Sequence, residues 1–175
     1  MSFNLEKFKA DYGKWVEKYL ADFEAGKVDK AVKEYPLVVS DDIPWTPFTG
    51  QPSEKTFALV SSGGLYMKDS QPAFETGTIH GDASFREIPR NVRYPDLGIA
   101  HGHFDQHLAE QDLNTIFPLR HFIELEKEGI IGKLADTHYS FSYVNDVATL
   151  ITETAPKVLD RIRAEGVDVL FLVPV

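Results

Sequence analysis

Three histidines and an aspartate lie close together in the segment HGHFDQH, residues 101–107. The chain has six histidines in all, so half of them fall in this short stretch. His101, His103, Asp105 and His107 come within one inserted residue of the zinc-ligand pattern His-x-His-x-Asp-His, in which imidazoles hold the metal and a bound water becomes the nucleophile. A metal-dependent hydrolase is therefore one interpretation. Solvated loop histidines without a metal are the simpler one.

Histidines also lie near the predicted ends of two strands. The segment DLGIA is a short strand with His101 at or just past its end, and the stretch THYSFSY belongs to another strand with His138 in a similar position. Histidine titrates near neutral pH, so His101, His103 and His138 are candidate acids or bases, or imidazolium groups that hold an anion. We expect Asp105 to support them.

Two further groups of residues are candidates for substrate binding. One is the turn after a buried strand over residues 57–60, whose backbone amides can donate to a carboxylate, although Gly-Gly after a strand more often marks only a tight turn. The other is the charged pair in SFREIP, which either faces the site or forms a surface ion pair. The candidate substrate-binding residues are Ser61, Ser62, Gly63, Gly64, Arg86 and Glu87.

The composition narrows the classes of protein to be considered. The 175 residues are 43% hydrophobic and 26% charged, as in ordinary globular domains, with a net charge of -9 that argues against a nucleic-acid partner. No run is apolar enough to span a membrane and the first residues do not resemble a signal peptide, so we expect a cytoplasmic protein. There is no cysteine, which excludes a disulfide framework and a cysteine nucleophile within these residues.

The apolar pattern predicts the elements that position these residues. Helical spacing indicates an amphipathic, aromatic-rich helix over residues 5–23, followed by a proline-rich arm. A second helix is expected over residues 118–128, and a third over residues 145–165 with a break near Pro156. The last segment, VDVLFLVPV, is almost uninterruptedly apolar, which is typical of a strand buried on both faces of a parallel sheet.

Strands that alternate with helices predict an α/β fold of three layers with a mainly parallel sheet, Rossmann-like or flavodoxin-like, and an N-terminal helical arm. We place the arm at residues 1–54 and the α/β domain at residues 55–175. In such folds ligands bind at the carboxyl ends of the strands. The last strand reaches Val175 at this edge, where an α/β enzyme would place a reactive thiol or selenol facing a helix N-terminus.

Four segments are specific in combination: ALVSSGGLYMKDSQPAF, GDASFREIP, DLNTIFPLRHFIELEKEGIIGKLADTHYSFSY and GVDVLFLVPV. Together they resemble the selenoprotein B family of glycine, betaine, sarcosine and D-proline reductases, and most of all its D-proline reductase members. The resemblance covers about residues 55–175. It implies an oxidoreductase domain that cleaves carbon–nitrogen bonds reductively.

The resemblance also implies what the chain works with. In that family a selenocysteine, or a cysteine in its place, directly follows the last strand, which corresponds here to the position after Val175. We therefore expect these residues to be the N-terminal portion of a longer protein, interrupted at a UGA codon and inert by themselves. They hold no cofactor of their own. The implied partners are a subunit that carries a pyruvoyl group and a dithiol or thioredoxin-like reductant.

Other interpretations stay open from the sequence. The chain is alternatively a complete, shortened homologue that serves as a binding subunit, and the aromatic helix of residues 5–23 would then join it to a partner or to a second copy of itself. Neither a nucleic acid nor a membrane is expected among its partners. The native substrate does not follow from the sequence.

Overall fold

A computed structural model describes residues 4–37 and 46–175. These fall into two compact units, Met1–Phe48 and Thr49–Val175. Residues 38–45, which include the first part of the predicted proline-rich arm, lie outside the described residues. Within the described part of the chain, no helix combines the length and the apolar character needed to cross a membrane.

The first unit contains the predicted amphipathic helix. Helix α1 spans Leu5–Glu24. Asn4 is its N-cap residue, and the Asn4 side chain accepts a hydrogen bond from the amide of Lys7. The buried face of α1 carries Tyr12 and Trp15, whose rings meet the ring of Tyr35 edge-on. A short helix α2, Val28–Lys33, precedes Tyr35. The predicted helix is thus confirmed, with aromatic contacts inside its own unit.

The second unit is built on a mainly parallel sheet around strand β1, Thr56–Ser61. Along one edge β1 pairs in parallel with β7, Val169–Val173. Along the other edge β1 pairs in parallel first with β5, Lys133–Leu134, and then with β6, Thr137–Ser140. Strand β3, Arg86–Pro89, lies antiparallel on β6 and completes the sheet.

A separate antiparallel ribbon joins β2, Leu65–Met67, to β4, Leu97–Ile99. The ribbon matters for the site because β2 directly follows β1 and because β4 leads into the histidine segment. The predicted strand before His101 is therefore present, but it belongs to this ribbon and not to the main sheet.

Helices cover both faces of the sheet. On one face α4, Leu119–Lys127, follows Pro118 and buries Phe122 against Phe57 of β1. On the other face α6, Ala155–Ala164, buries Val158 and Ile162 in a cluster with Tyr139 of β6. The predicted mainly parallel α/β fold is confirmed. Its three layers are held by these two apolar clusters.

The predicted break near Pro156 has a definite form. Helix α5, Val147–Thr149, continues through a π-helical turn at Leu150–Thr154 into α6, with Pro156 in the first turn of α6. Pro156 has no amide hydrogen and so interrupts the hydrogen-bond pattern of a continuous helix, which agrees with the π-helical turn directly before α6. Helix α3, His107–Gln111, is a short helix after the histidine segment.

One strand is placed differently from the prediction. The apolar segment of β7 was expected to be buried on both faces, yet its middle three side chains are exposed. The sheet order explains this, because β7 pairs only with β1 and is the outermost strand among the described residues. A continuous apolar run indicates a strand but does not determine its position in the sheet.

His138 is also placed differently, because it lies inside β6 and not at the end of a strand. Its Nδ1 accepts a hydrogen bond from the amide of Leu59, at the interval where β1 changes its partner from β5 to β6. The ring is fully buried, and its Nε2 has no hydrogen-bond partner among the residues that the structure describes. Burial, with a smaller effect of the nearby Arg90, lowers the pKa of His138 to about 4. The ring is therefore neutral at neutral pH and acts as a structural acceptor.

Replacing His138 with asparagine tests this role, because asparagine keeps an acceptor near the position of Nδ1 but does not titrate. The histidine binds a proton near pH 6.5 when unfolded but only near pH 4 when folded, so wild-type stability falls as pH decreases through this window. From about pH 7.5 to about pH 5, wild type should lose about 2 kcal/mol more unfolding free energy than H138N.

Urea denaturation at the two pH values measures these losses. The control is H121N, which removes an exposed histidine and should lose as much as wild type. Equal losses in wild type and H138N would show that His138 does not carry the effect.

Candidate functional site

The carboxyl ends of β1, β6 and β7 meet at the turn between β1 and β2, and ligands bind at this edge in open α/β sheets. We call Ser61, Ser62, Gly63 and Gly64 the serine-glycine turn. It is held from several sides by hydrogen bonds. The strands alone would leave this loop free to move, so these bonds fix the geometry of the site.

Ser61 holds the turn from within. Its hydroxyl donates to the carbonyl of Ile116 at 2.7 Å and accepts from the amide of Gly63 at 3.0 Å. A side chain at Gly63 would meet Ile116, since a Cβ there would lie 2.9 Å from the Cδ1 atom. The turn is thereby packed against the segment that leads into α4.

Gly64 joins the turn to two further strand ends. Its amide donates to the carbonyl of Phe141, just past β6, and its carbonyl accepts from the amide of Ala100, just past β4. Its φ of +71° is in the left-handed region, and a Cβ would lie 2.3 Å from the carbonyl oxygen of Ala100. Only glycine fits this position, for both conformational and steric reasons.

Ser62 joins the turn to the end of β7. Its amide donates to the carbonyl of Val173 at 3.1 Å, and its hydroxyl accepts from the amide of Val175 at 2.9 Å. Val175 therefore lies directly beside the serine-glycine turn.

These bonds correct one expectation about the turn. The sequence suggested bare amides that hold a carboxylate, but the amides of Ser62, Gly63 and Gly64 all donate to groups of the protein itself. The hydroxyl of Ser61 is also occupied. In this conformation the turn organises the strand ends and offers no free backbone donor from these three residues.

His101 is the predicted catalytic residue that the structure places against the turn. An added Cβ at Gly64 would lie 3.0 Å from the Cβ of His101. The ring is buried and its Nδ1 accepts from the amide of His103 at 3.1 Å, which assigns the proton of the neutral ring to Nε2. Burial, with a smaller contribution from His103, lowers the pKa of His101. An imidazolium that holds an anion, one of the predicted roles, is therefore disfavoured at neutral pH.

Of the other members of the histidine segment, His103 lies beside His101, with its ring edge-on at 6.0 Å between centroids. His103 is exposed and stacks on the ring of Tyr143, with 3.7 Å between centroids. The carboxylate of Asp105 accepts from the amide of His107 at 3.0 Å, at the start of α3. Among residues 4–37 and 46–175, no three or more histidine, aspartate or glutamate side chains are arranged to hold a metal ion.

Arg86 and Glu87 do not form the predicted site-facing pair, because consecutive strand residues point to opposite faces. The Arg86 guanidinium is nearly buried and lies over the ring of Phe74, with an ion pair to Asp82 at 3.7 Å and hydrogen bonds to nearby carbonyls. Glu87 forms an ion pair with Arg161 of α6. Both charges thus hold the sheet to its neighbouring segments.

Two buried serines at this edge were missed from the sequence. The hydroxyl of Ser140 accepts from the amide of Leu65 at 2.8 Å, and that of Ser142 donates to the carbonyl of Ala100 at 2.8 Å. The sequence contained a signal for this pair. Serines at alternate positions in HYSFS project their hydroxyls from the same side of a strand end.

The arrangement defines an α/β protein with a polar site at the carboxyl edge of its sheet, formed by the serine-glycine turn, His101 and the end of β7. A family model described as glycine/sarcosine/betaine reductase selenoprotein B matches residues 26–174. The chain belongs to this family. No solved structure matches it, so the Rossmann-like or flavodoxin-like assignment stays a prediction.

Curated relatives agree with the family assignment. D-proline reductase subunit gamma of Acetoanaerobium sticklandii is 34% identical over 129 residues, which cover 73% of this chain and 52% of the relative. Glycine reductase complex component B subunit gamma of Carboxydothermus hydrogenoformans is 28% identical over 83% of this chain and 34% of the relative. Sarcosine reductase complex component B subunit beta of Peptoclostridium acidaminophilum is 31% identical, over 62% and 25%. The chain thus spans about half the length of the first relative and less of the others.

The close approach at Gly64 gives a prediction about stability. Gly64→Ala should lower the unfolding free energy by at least about 3 kcal/mol, because it adds a clash with Ala100 to the strain of a left-handed alanine. Gly129→Ala is the matched control, since Gly129 has nearly the same φ but nothing within 4 Å of an added Cβ.

Gly129→Ala should lower the unfolding free energy by only about 1 kcal/mol. Urea denaturation of both variants measures the difference. Equal costs would mean that the approach of Gly64 to Ala100 does not hold in solution.

Proposed function

We propose that this chain is part of a selenocysteine- or cysteine-dependent reductase subunit that cleaves a carbon–nitrogen bond of a small amino-acid derivative. In the full-length protein the nucleophilic residue directly follows Val175. The proposal is supported by membership of the family and by the names of the relatives, which are subunits of D-proline, glycine and sarcosine reductases.

One observation carries the proposal, the hydrogen bond between the amide of Val175 and the hydroxyl of Ser62. It places Val175 beside the serine-glycine turn, against which His101 is packed, and so supports a nucleophile at the next position. A selenol or thiol at that position would supply a nucleophile and a redox-active group. The surrounding residues fit such a group, because they are polar and close-packed and include no competing thiol.

The residues of this chain have supporting roles. Ser62 holds the chain just after β7 through its hydrogen bond to Val175. Gly64 holds the ends of β4 and β6 at the same turn. Neutral His101 carries its proton on Nε2, from which it donates a hydrogen bond to an anion at the strand ends. His103, Asp105 and His138 have no role in this scheme that the geometry supports.

The partners are proposed from the same family. Relatives of this chain are components of multi-subunit reductase complexes, so a complex is expected here as well. We propose a partner subunit with a pyruvoyl group that captures the amino substrate, and a dithiol or thioredoxin-like protein that supplies the two electrons. A cytoplasmic location and a homo-oligomer stay predictions. No contact of the described residues favours the metal-hydrolase alternative.

The intact mass of the native protein, together with the nucleotide sequence after the codon for Val175, tests the proposed nucleophile. We expect a heavier protein with selenocysteine or cysteine at the next position. A native mass equal to that of these 175 residues, followed by a genuine stop, would exclude the reductase mechanism. A non-catalytic binding subunit would then be favoured.

Activity provides the second test. The native complex should reduce at least one of D-proline, glycine, sarcosine and betaine with a dithiol as electron donor, whereas this chain alone should be inert. Replacing the nucleophile in the longer protein by serine is the matched control and should abolish turnover. Turnover by this chain alone would overturn the proposal.

A further inference from the structure

Strand β7 has an open edge. Residues 57–61 of β1 lie opposite Val169–Val173, and the amide of Ser62 donates to the carbonyl of Val173. In this register Val169, Phe171 and Val173 face β1. Because successive peptide groups alternate in direction, the amides of Leu170 and Leu172 point away from β1. No strand of residues 4–37 and 46–175 pairs with that side of β7.

The side chains of β7 do not suit an exposed edge. Edge strands are normally short, bulged, or marked by charged residues or proline that prevent pairing with another strand. From Val169 to Val173 all five residues are apolar, and the protecting residues, Asp168 and Pro174, lie only outside the strand. The sequence of β7 is therefore that of an inner strand.

Both faces of β7 are incompletely covered. Leu170 and Leu172, 39% and 65% exposed, lie on the face of the sheet that α6 covers farther along, beyond β1. Phe171, 44% exposed, lies on the opposite face, where its ring contacts Phe122 of α4 at 4.9 Å between centroids. An additional element beside β7 would have apolar surface to bury on both faces.

We propose that a strand from the segment that follows Val175 in the full-length protein adds to the open edge of β7 and makes β7 an inner strand. This inference rests on the proposed function, which places further residues after Val175. Its own support is the open edge and the exposed apolar faces. The D-proline reductase relative is long enough to contain such a strand, because this chain covers only 52% of its length.

Two other occupants are outcomes of the test. A second copy of this chain would cover the edge only in a dimer, and its protection would depend on protein concentration. A strand from another subunit would cover the edge only in the complex. The proposed strand protects β7 within one isolated polypeptide.

Hydrogen exchange at single amides distinguishes these cases. The gene is expressed both as this chain and through the codon after Val175, with cysteine at that position if the codon is UGA. In the longer monomer the amides of Leu170 and Leu172 should exchange at least about 100-fold more slowly than in this chain. The amide of Phe171, which faces β1, is the internal control and should be protected in both.

A pair of matched substitutions provides a second readout. Leu172 and Leu108 are both 65% exposed in this chain, and Leu108 lies on α3, away from β7. L172K should lower the thermal midpoint of the longer protein clearly, and L108K should not. In this chain neither substitution should lower the thermal midpoint clearly. If longer L172K does not fold at all while longer L108K does, this also supports the proposal.

The outcomes separate this inference from the proposed function. A longer protein that is active in its complex but still exchanges the amides of Leu170 and Leu172 rapidly as a monomer would overturn the added strand alone. Protection that appears only on dimerisation or in the complex would overturn it in favour of another occupant. A native protein that ends at Val175 would overturn both.

Discussion

The close contact between Gly64 and Ala100 is the constraint on which the candidate site depends. At this point the left-handed backbone of Gly64 bonds to the ends of β4 and β6 at the same time, with no space for a side chain. Ser61 and Ser62 extend the same turn to Ile116 and to the end of β7. Strand ends from distant parts of the sequence are thereby held together by one short turn, and His101 is brought into place by the same contact.

This arrangement explains why the polar groups of the site are mostly neutral. Serine hydroxyls and backbone amides join the strand ends, and burial favours the uncharged form of His101. The charged residues of the region are used elsewhere, since Arg86 pairs with Asp82 and Glu87 with Arg161. The site is therefore an organised polar edge without a charged nucleophile of its own, which agrees with a chain that has no cysteine.

Local patterns in the sequence were sufficient for the helices and for the class of fold. Helical spacing, Pro118 and Pro156 predicted α1, α4 and the broken helix before α6, because caps and amphipathic faces depend on nearby residues. The position of β7 could not be predicted, because apolar side chains do not say which strands lie beside them. The role of His138 was missed for a similar reason: its partner, the amide of Leu59, is far away in the sequence. Serine hydroxyls that occupy the turn likewise depend on contacts that only the folded chain forms.

The absence of cysteine allows a direct test of the central claim, that the end of β7 lies at the serine-glycine turn. Cysteines introduced together at Ser62 and Val175 should form a disulfide rapidly under mild oxidation, because the hydroxyl and the amide of these residues are 2.9 Å apart. The control pair joins Ser62 to Val169, at the far end of β7, and should stay reduced. Rapid closure of the first pair alone is the result that we predict. Failure of the first pair to close, or equal closure of both, would contradict the account of the site.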